Sequence, residues 1–328
     1  MKRCVDLKQS SIRNNFKTKA LQPMRGEYMH TKDDIHDSIS FCPMIKLFMD
    51  IPPSQRMRKL SQLGVTKWVY VTANHTRFEH SLGVAHLAER TVKVIQKRQP
   101  QLGITEKDVL CVKLAGLCHD WGHGPFSHVF DGPFQDEIKK KNPDFMKIPH
   151  EHLSLMLIDY ALKGFGLEID PNNLDKPLKQ IGDGYDAKMF GVCDMNYDVN
   201  KPLSEDKCLT SRDWIFIKEC ILGEPLPGSY DFCGRYKEKE FLYDIVSNRH
   251  NGLDVDKIDY YARDEKRALG KGGGLYIMFV NEAFVARGEC PQPQKCFQCR
   301  RRKNPNEHYM ICYPEKLVKN AMQFFKTR

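Results

Sequence analysis

The stretch LAGLCHDWGHGPFSHVFDG, residues 114–132, sets His119, Asp120, His123 and His128 within ten positions, behind an apolar run. Neutral imidazole and carboxylate together suit borderline divalent metals such as Zn, Mn, Fe, Co or Ni. A His-Asp doublet alone is a weak signal, because the two residues are often adjacent by chance or by packing. Two further segments strengthen it. His80 stands in RFEHS beside Arg77 and Glu79, and Asp254 and Asp256 stand in GLDVDKIDYYARD. A buried acidic pair there would cost several kcal/mol unless set against a cation. One early histidine, the doublet and one distant aspartate would make a two-nitrogen, two-oxygen set, with positions left for water and a substrate oxygen.

The elements that must hold these groups are mostly helical. Leu82, Ala85, Ala88, Val92 and Ile95 share one stripe of the segment that carries His80. Thr105 with Asp108 is an N-terminal capping pattern for EKDVLCVKLAGLCHD, whose broad apolar face predicts a buried helix ending at His119-Asp120. Gly122, Gly124 and Pro125 then forbid much regular helix. Pro52-Pro53 opens a helix near Ser54. Residues 150–162, the capped TSRDWIFIKECIL, and two patterns split by SNRHNG read as further helices. KWVYVTA reads as a short β-rich stretch, and strands are otherwise expected only late, in GLYIMFVNEAFVAR and HYMICYP. The fold class is mainly α, with a small strand-containing C-terminal lobe.

The chain has 328 residues, 41% apolar and 10% aromatic, enough to bury a real core and too apolar to be wholly disordered. No apolar run approaches a membrane span. The start, MKRCVDLKQSSIRNNFK, lacks the apolar segment of a secretory signal. A soluble protein of nucleus or cytoplasm, without a membrane partner, is the expectation. The twelve cysteines are scattered; Cys111 and Cys118 lie among apolar residues, and reduced thiols are expected. A formal charge of +9 suits an anionic partner, or simply a basic surface.

At this point the motifs resemble a known family. His80, His119-Asp120 and Asp256 match the signature of the HD superfamily of metal-dependent phosphohydrolases. The longer text NHTRFEHSLGVAHLAER, DVLCVKLAGLCHDWGHGPFSHVFDG and FLYDIVSNRHNGLDVDKIDYYARD is similar to the sterile-alpha-motif and HD-domain deoxynucleoside triphosphate triphosphohydrolases. The resemblance runs from about residue 30 onward, weaker in 133–210 and 265–313, and no sterile-alpha-motif segment precedes it. It implies the helical HD phosphohydrolase fold and cleavage of a dNTP to deoxynucleoside and intact triphosphate with a divalent ion (Zn, Fe, Mn or Mg). His80, His119, Asp120 and Asp256 would hold the metal. His123 would sit at the scissile bond, and His150, oriented by Asp131, would transfer a proton. Arg77, His128, Lys257 and Arg328 would meet phosphate. Gln62 and Asp264 would read the sugar 3′-hydroxyl, with Tyr260 stacked nearby and Leu63 closing one side. The bland alternatives are an Arg77 paired with Glu79 or near Asp120, tyrosines packed in the core, and a His128 that caps a turn.

Three departures from the family pattern follow. Asp50, Arg56 and Arg58 fit part of a regulatory GTP/dNTP site, but GKGGGLYIMFV is apolar where phosphate contacts would lie. Nucleotide-driven assembly into a dimer or tetramer is therefore expected to be weakened. CPQPQKCFQCRRRKNPNEHYMIC inserts a Cys296-x-x-Cys299 and a basic run, Arg300 to Lys303. With one C-x-x-C only, a loose basic loop is favoured over a zinc site of Cys290, Cys296, Cys299, His308 and Cys312; its charge run is more often simply solvated than engaged in weak nucleic-acid binding. The chain stops at FFKTR, where the family continues with helices that close the pocket. The organisation expected is a basic tail at 1–28, an HD body at 29–264 with an irregular insertion at about 164–209, and a shortened lobe at 265–328 with the Cys/basic insertion at about 290–312. Against dNTP hydrolysis stand a related phosphohydrolase acting on another nucleotide, and a catalytically idle protein that binds nucleotide or nucleic acid.

Overall fold

The protein is described by a computed structural model covering residues 28–193, 203–270, 276–294, 296, 297, 299 and 307–326. Residues 1–27 of the basic tail, residues 271–275 of GKGGGLYIMFV, the Arg300–Lys303 run and Arg328 lie outside the described residues.

The first element is one that the sequence reading did not place. β1 (Met29–Asp33) and β2 (Asp37–Phe41) pair as an antiparallel hairpin, closed at Asp37 with φ of 61°. Its sequence, rich in His, Lys and Asp, carries little apolar alternation, so the strand signal is faint. Prolines open α1 (Pro43–Asp50) and α2 (Pro52–Met57), where the missing N–H costs nothing. KWVYVTA is not β: Gly64–Trp68 is a 3-10 turn, and Trp68, Val69 and Val71 that follow are exposed.

The body is built on α3 (Arg77–Arg98) and α4 (Glu106–Cys118). The α3 stripe of Leu82, Ala85, Ala88, Val92 and Ile95 is buried against Val112, Ala115 and Leu117 of α4. Thr105 and Asp108 form a reciprocal capping box at the start of α4. α5 (Gln135–Lys141) and α6 (His150–Gly164) follow, then the two-residue strands β3 (Leu167–Glu168) and β4 (Lys179–Gln180). α7 (Ser211–Leu222) opens with a second capping box, Thr210 with Asp213. Arg235 joins the two boxes: Nε donates to Asp108 at 2.6 Å and an Nη to Asp213 at 2.6 Å, its guanidinium lying over Phe216.

α8 (Val255–Leu269) is capped by Asp254, which accepts the Lys257 N–H. It lies so close to α3 that a Cβ on Gly83 would come within 1.9 Å of Asp259 Oδ1. The hairpin is tied to α8 through Arg263, which is fully buried and donates to both Asp33 and Asp259. GLYIMFVNEAFVAR divides: Ile277–Glu282 is helix α9, and only β5 (Phe284–Glu289) is strand, paired antiparallel with β6 (Glu307–Cys312). α10 (Val318–Lys326) closes the described chain. Among the described residues no helix is long and apolar enough to cross a membrane.

Candidate active site

Three elements converge on one cleft. His80 comes from the first turn of α3, His119 and Asp120 from the end of α4, and Asp256 from the first turn of α8. One donor atom each from His80, His119 and Asp256 lie within 4.8 Å of one another. His80 Nε2 is 3.0 Å and His119 Nε2 is 3.4 Å from Asp256 Oδ1.

The second ring nitrogens set the chemistry. His119 Nδ1 lies 2.8 Å from the Gly116 carbonyl, which only accepts, so Nδ1 bears a proton and Nε2 is the nitrogen turned to the cleft. That Nε2 is buried and makes no hydrogen bond. His80 Nδ1 lies 2.8 Å from Asp259 Oδ2, the carboxylate–histidine arrangement that orients metal-ligating imidazoles. Burial opposes a charged His80, yet Asp256 and Asp259 raise its pKa to about 10. Burial likewise works against an ionised Asp256, but His119 and His80 hold it far below the usual carboxylate range. The pocket thus favours positive charge between its carboxylates, and its N/O donor set fits a divalent ion.

Asp120 stands beside this set rather than squarely in it. One oxygen pairs with Arg77, and the other lies 3.3 Å from the Nε2 of both His119 and His123. Arg77 overcomes the effect of burial and keeps Asp120 ionised. His80 Nε2 remains 3.7 Å from it.

A second cluster adjoins the first. His123 and His150 stack with ring centroids 3.7 Å apart, and Asp131 Oδ2 lies 3.2 Å and 2.9 Å from their Nδ1 atoms. Burial and the neighbouring His123 charge lower the His150 pKa. The loop carrying His128 runs through Phe126 and Ser127, both at positive φ (63° and 54°), a strained path for residues with side chains. Ser127 Oγ donates to the Gln62 carbonyl and anchors that path.

The cleft encloses about 340 Å³; His80, His119, Asp120, Asp256, Arg77, His123 and His150 line it, as do Gln62, His128, Lys257 and Tyr260, while Asp131 and Asp259 stand behind it. Gln62 Oε1 is buried without a partner. Lys257 is paired with Asp254 at 2.8 Å. Two expected sugar contacts are not on the lining. Asp264 turns to His75, Oδ1 to Nε2 2.7 Å, and Leu63 sits where Gly64, at φ 56°, redirects the chain. Arg56 does not join Asp50 and Arg58: it donates to the Trp121 and His123 carbonyls and braces the histidine loop from behind. Asp50 pairs with Lys46, and Arg58 lies over Phe78 at 3.6 Å.

Residues 77–169 match the family model for the HD domain. Over those residues this chain carries an HD domain. It is 40% identical over 317 residues to a protein of Bos taurus named deoxynucleoside triphosphate triphosphohydrolase SAMHD1, covering 95% of this chain and 45% of that one. The protein of that name from Homo sapiens is 41% identical over 90% of this chain and 40% of its own length. A Dictyostelium discoideum homologue is 35% identical over 71% of this chain and 35% of its own. This HD-domain chain therefore spans less than half the length of these relatives.

Sequence reasoning missed Asp259, His36, Arg249 and Glu151. Asp259 bonds His80 and also His36 Nε2 at 2.6 Å, while Arg249 and Glu151 line the cleft. The signal for Asp259 was its position one helical turn after Asp256, facing the same neighbouring helix.

Proposed function

We propose that this HD-domain chain hydrolyses deoxynucleoside triphosphates to deoxynucleoside and inorganic triphosphate. The observation that carries the proposal is the His80–His119–Asp256 set beside Asp120, His123 and His150 in one cleft, with Asp131 behind His150. The similarity to proteins named as dNTP triphosphohydrolases supplies the substrate class.

His80, His119 and Asp256, with Asp120 at the edge, would hold a divalent ion; Zn, Fe, Mn and Mg are all compatible with this donor set. Such an ion supplies Lewis-acid chemistry: it neutralises phosphate charge and makes a water more acidic. The chain's own residues do the rest. A triphosphate carries about four negative charges, which Arg77 and Lys257 would meet as cations and His128 as a hydrogen-bond donor. His150, fixed by Asp131, moves a proton at the departing 5′-oxygen while the P–O5′ bond breaks. Gln62 offers its unpartnered oxygen to a sugar hydroxyl, and Tyr260 offers a ring face. Residues 29–264 act as the catalytic body and 265–328 as an appended lobe. Buried thiols suit a reducing compartment, nucleus or cytoplasm.

Nucleotide-driven assembly is weakened in this reading, since Arg56 serves the histidine loop instead of a surface anion. The test of the activity is incubation with dGTP and Mn²⁺ or Mg²⁺, beside His119→Ala and Asp256→Ala. Deoxyguanosine and triphosphate are expected from the wild-type chain and from neither variant. No hydrolysis, together with salt-sensitive binding of RNA or DNA, would favour the idle, nucleic-acid-binding reading.

A further inference from the structure

A second group of metal-binding side chains lies away from the cleft, where the inserted loop meets the body. His250, Cys290, Cys296 and His308 each offer one donor atom, and the four atoms lie within 4.8 Å of one another. All four residues are buried. They come from three separate places: the turn before α8, the end of β5 with the loop beyond it, and β6.

We propose that this group is a structural zinc site. The spacing is the first argument. A tetrahedral zinc with Zn–S of about 2.3 Å and Zn–N of about 2.05 Å has nitrogen-to-sulfur edges of roughly 3.5 Å. His250 Nε2 lies 3.5 Å and His308 Nε2 lies 3.7 Å from Cys296 Sγ. The outer shell is the second argument. Asp244 Oδ1 is 2.7 Å from His250 Nδ1, which fixes the proton there and leaves Nε2 aimed at the thiols. Charge is the third. Two thiolates and two neutral imidazoles around a dication are neutral overall, which makes their burial affordable without an outside partner. Soft sulfur with imidazole selects zinc over magnesium or calcium.

Cys299 packs onto the same cluster, 3.0 Å from His308 Nε2, and completes the C-x-x-C. Cys312, one of the five residues of the zinc site that the sequence reading disfavoured, lies outside the set, and His250 joins it from forty residues upstream of Cys290. Zinc here would pin the described ends of the insertion to the turn that launches α8 and Asp256. It is a site separate from the catalytic set and does not depend on the proposed hydrolysis.

The experiment is metal analysis and zinc-edge X-ray absorption on the full chain purified without chelator. An Asp256→Ala, His119→Ala variant isolates this site from the cleft. The expected result is one zinc per chain in that variant, with two sulfur and two nitrogen neighbours. Cys296→Ser and His308→Ala, made in the same background, should each lose it. If these variants do not fold, the absorption spectrum of the parent still decides. Zinc-free protein, zinc with only nitrogen and oxygen neighbours, or a disulfide among Cys290, Cys296 and Cys299 found by mass spectrometry would overturn the proposal.

Discussion

His80 presents one nitrogen to the cleft because Asp259 occupies the other. The carboxylate fixes the ring's tautomer and tilt, and the same carboxylate is gripped by Arg263 and His36. Outer partners of this kind typically alter metal affinity by 10- to 100-fold. Asp259→Asn should therefore weaken Mn²⁺ binding by about that factor, measured by calorimetry, with the ligands themselves unchanged. In the proposed function Asp131, whose Oδ2 lies 2.9 Å from His150 Nδ1, takes the matching part for that ring. Asp131→Asn should lower kcat by roughly 10² or more while metal content stays at the wild-type level. A parallel loss of metal would show that Asp131 belongs to the ion's ligand set instead. The candidate metal-binding residues were legible because the weak His119-Asp120 doublet is joined by His80 and Asp256 in two further segments of matching chemistry. Asp259 was not, because an aspartate that serves a histidine leaves the same trace in sequence as one on a solvated helix face.

Helices position the site through two tight joints. At the first, Gly83 lets α3 approach α8. A Cβ there would meet Asp259 Oδ1 at 1.9 Å and an Arg263 Nη at 2.5 Å. Gly83→Ala should cost about 1–3 kcal/mol in denaturant melts and also weaken metal binding, since the displaced group orients His80. The second joint is Arg235 between Asp108 and Asp213, which locks the starts of α4 and α7. Burial alone would raise the Asp108 pKa, but Arg235 and Lys239 bring it below its ordinary 3.8. Its stabilisation is thus complete above the unfolded value and disappears as pH falls through the lower folded one. Asp108→Asn should destabilise the protein by about 3–5 kcal/mol near neutral pH, and the gap to wild type should close on acidification below 3.8. A constant gap across that range would refute the ion-pair account. Both capping boxes were readable from Thr105/Asp108 and Thr210/Asp213. The arginine that joins them was not, because its partners are brought together only by tertiary packing.

For the molecule as a whole, periodicity identified the helical body and misjudged its edges. The β1–β2 hairpin escaped because only Ile39 and Phe41 of β2 are buried in the core, too short an apolar alternation to signal a strand, and Arg263 holds the turn. KWVYVTA misled because β-branched residues favour strands, yet exposed ones need not pair. The Cys-bearing insertion looked like a loose loop because His250, the ligand that gathers it, lies in a different segment. At this scale the account also predicts that GTP with dNTP leaves the mass of the chain unchanged in light scattering; conversion to a tetramer would show the Arg56 reading to be wrong. The central claim is that two imidazoles and two carboxylates from three helices make water reactive toward phosphorus. Hydrolysis of dGTP in ¹⁸O-labelled water tests it most directly. The label should appear in the triphosphate and not in deoxyguanosine, and Asp256→Ala should yield neither product. Labelled deoxyguanosine, or turnover that survives Asp256→Ala, would contradict it.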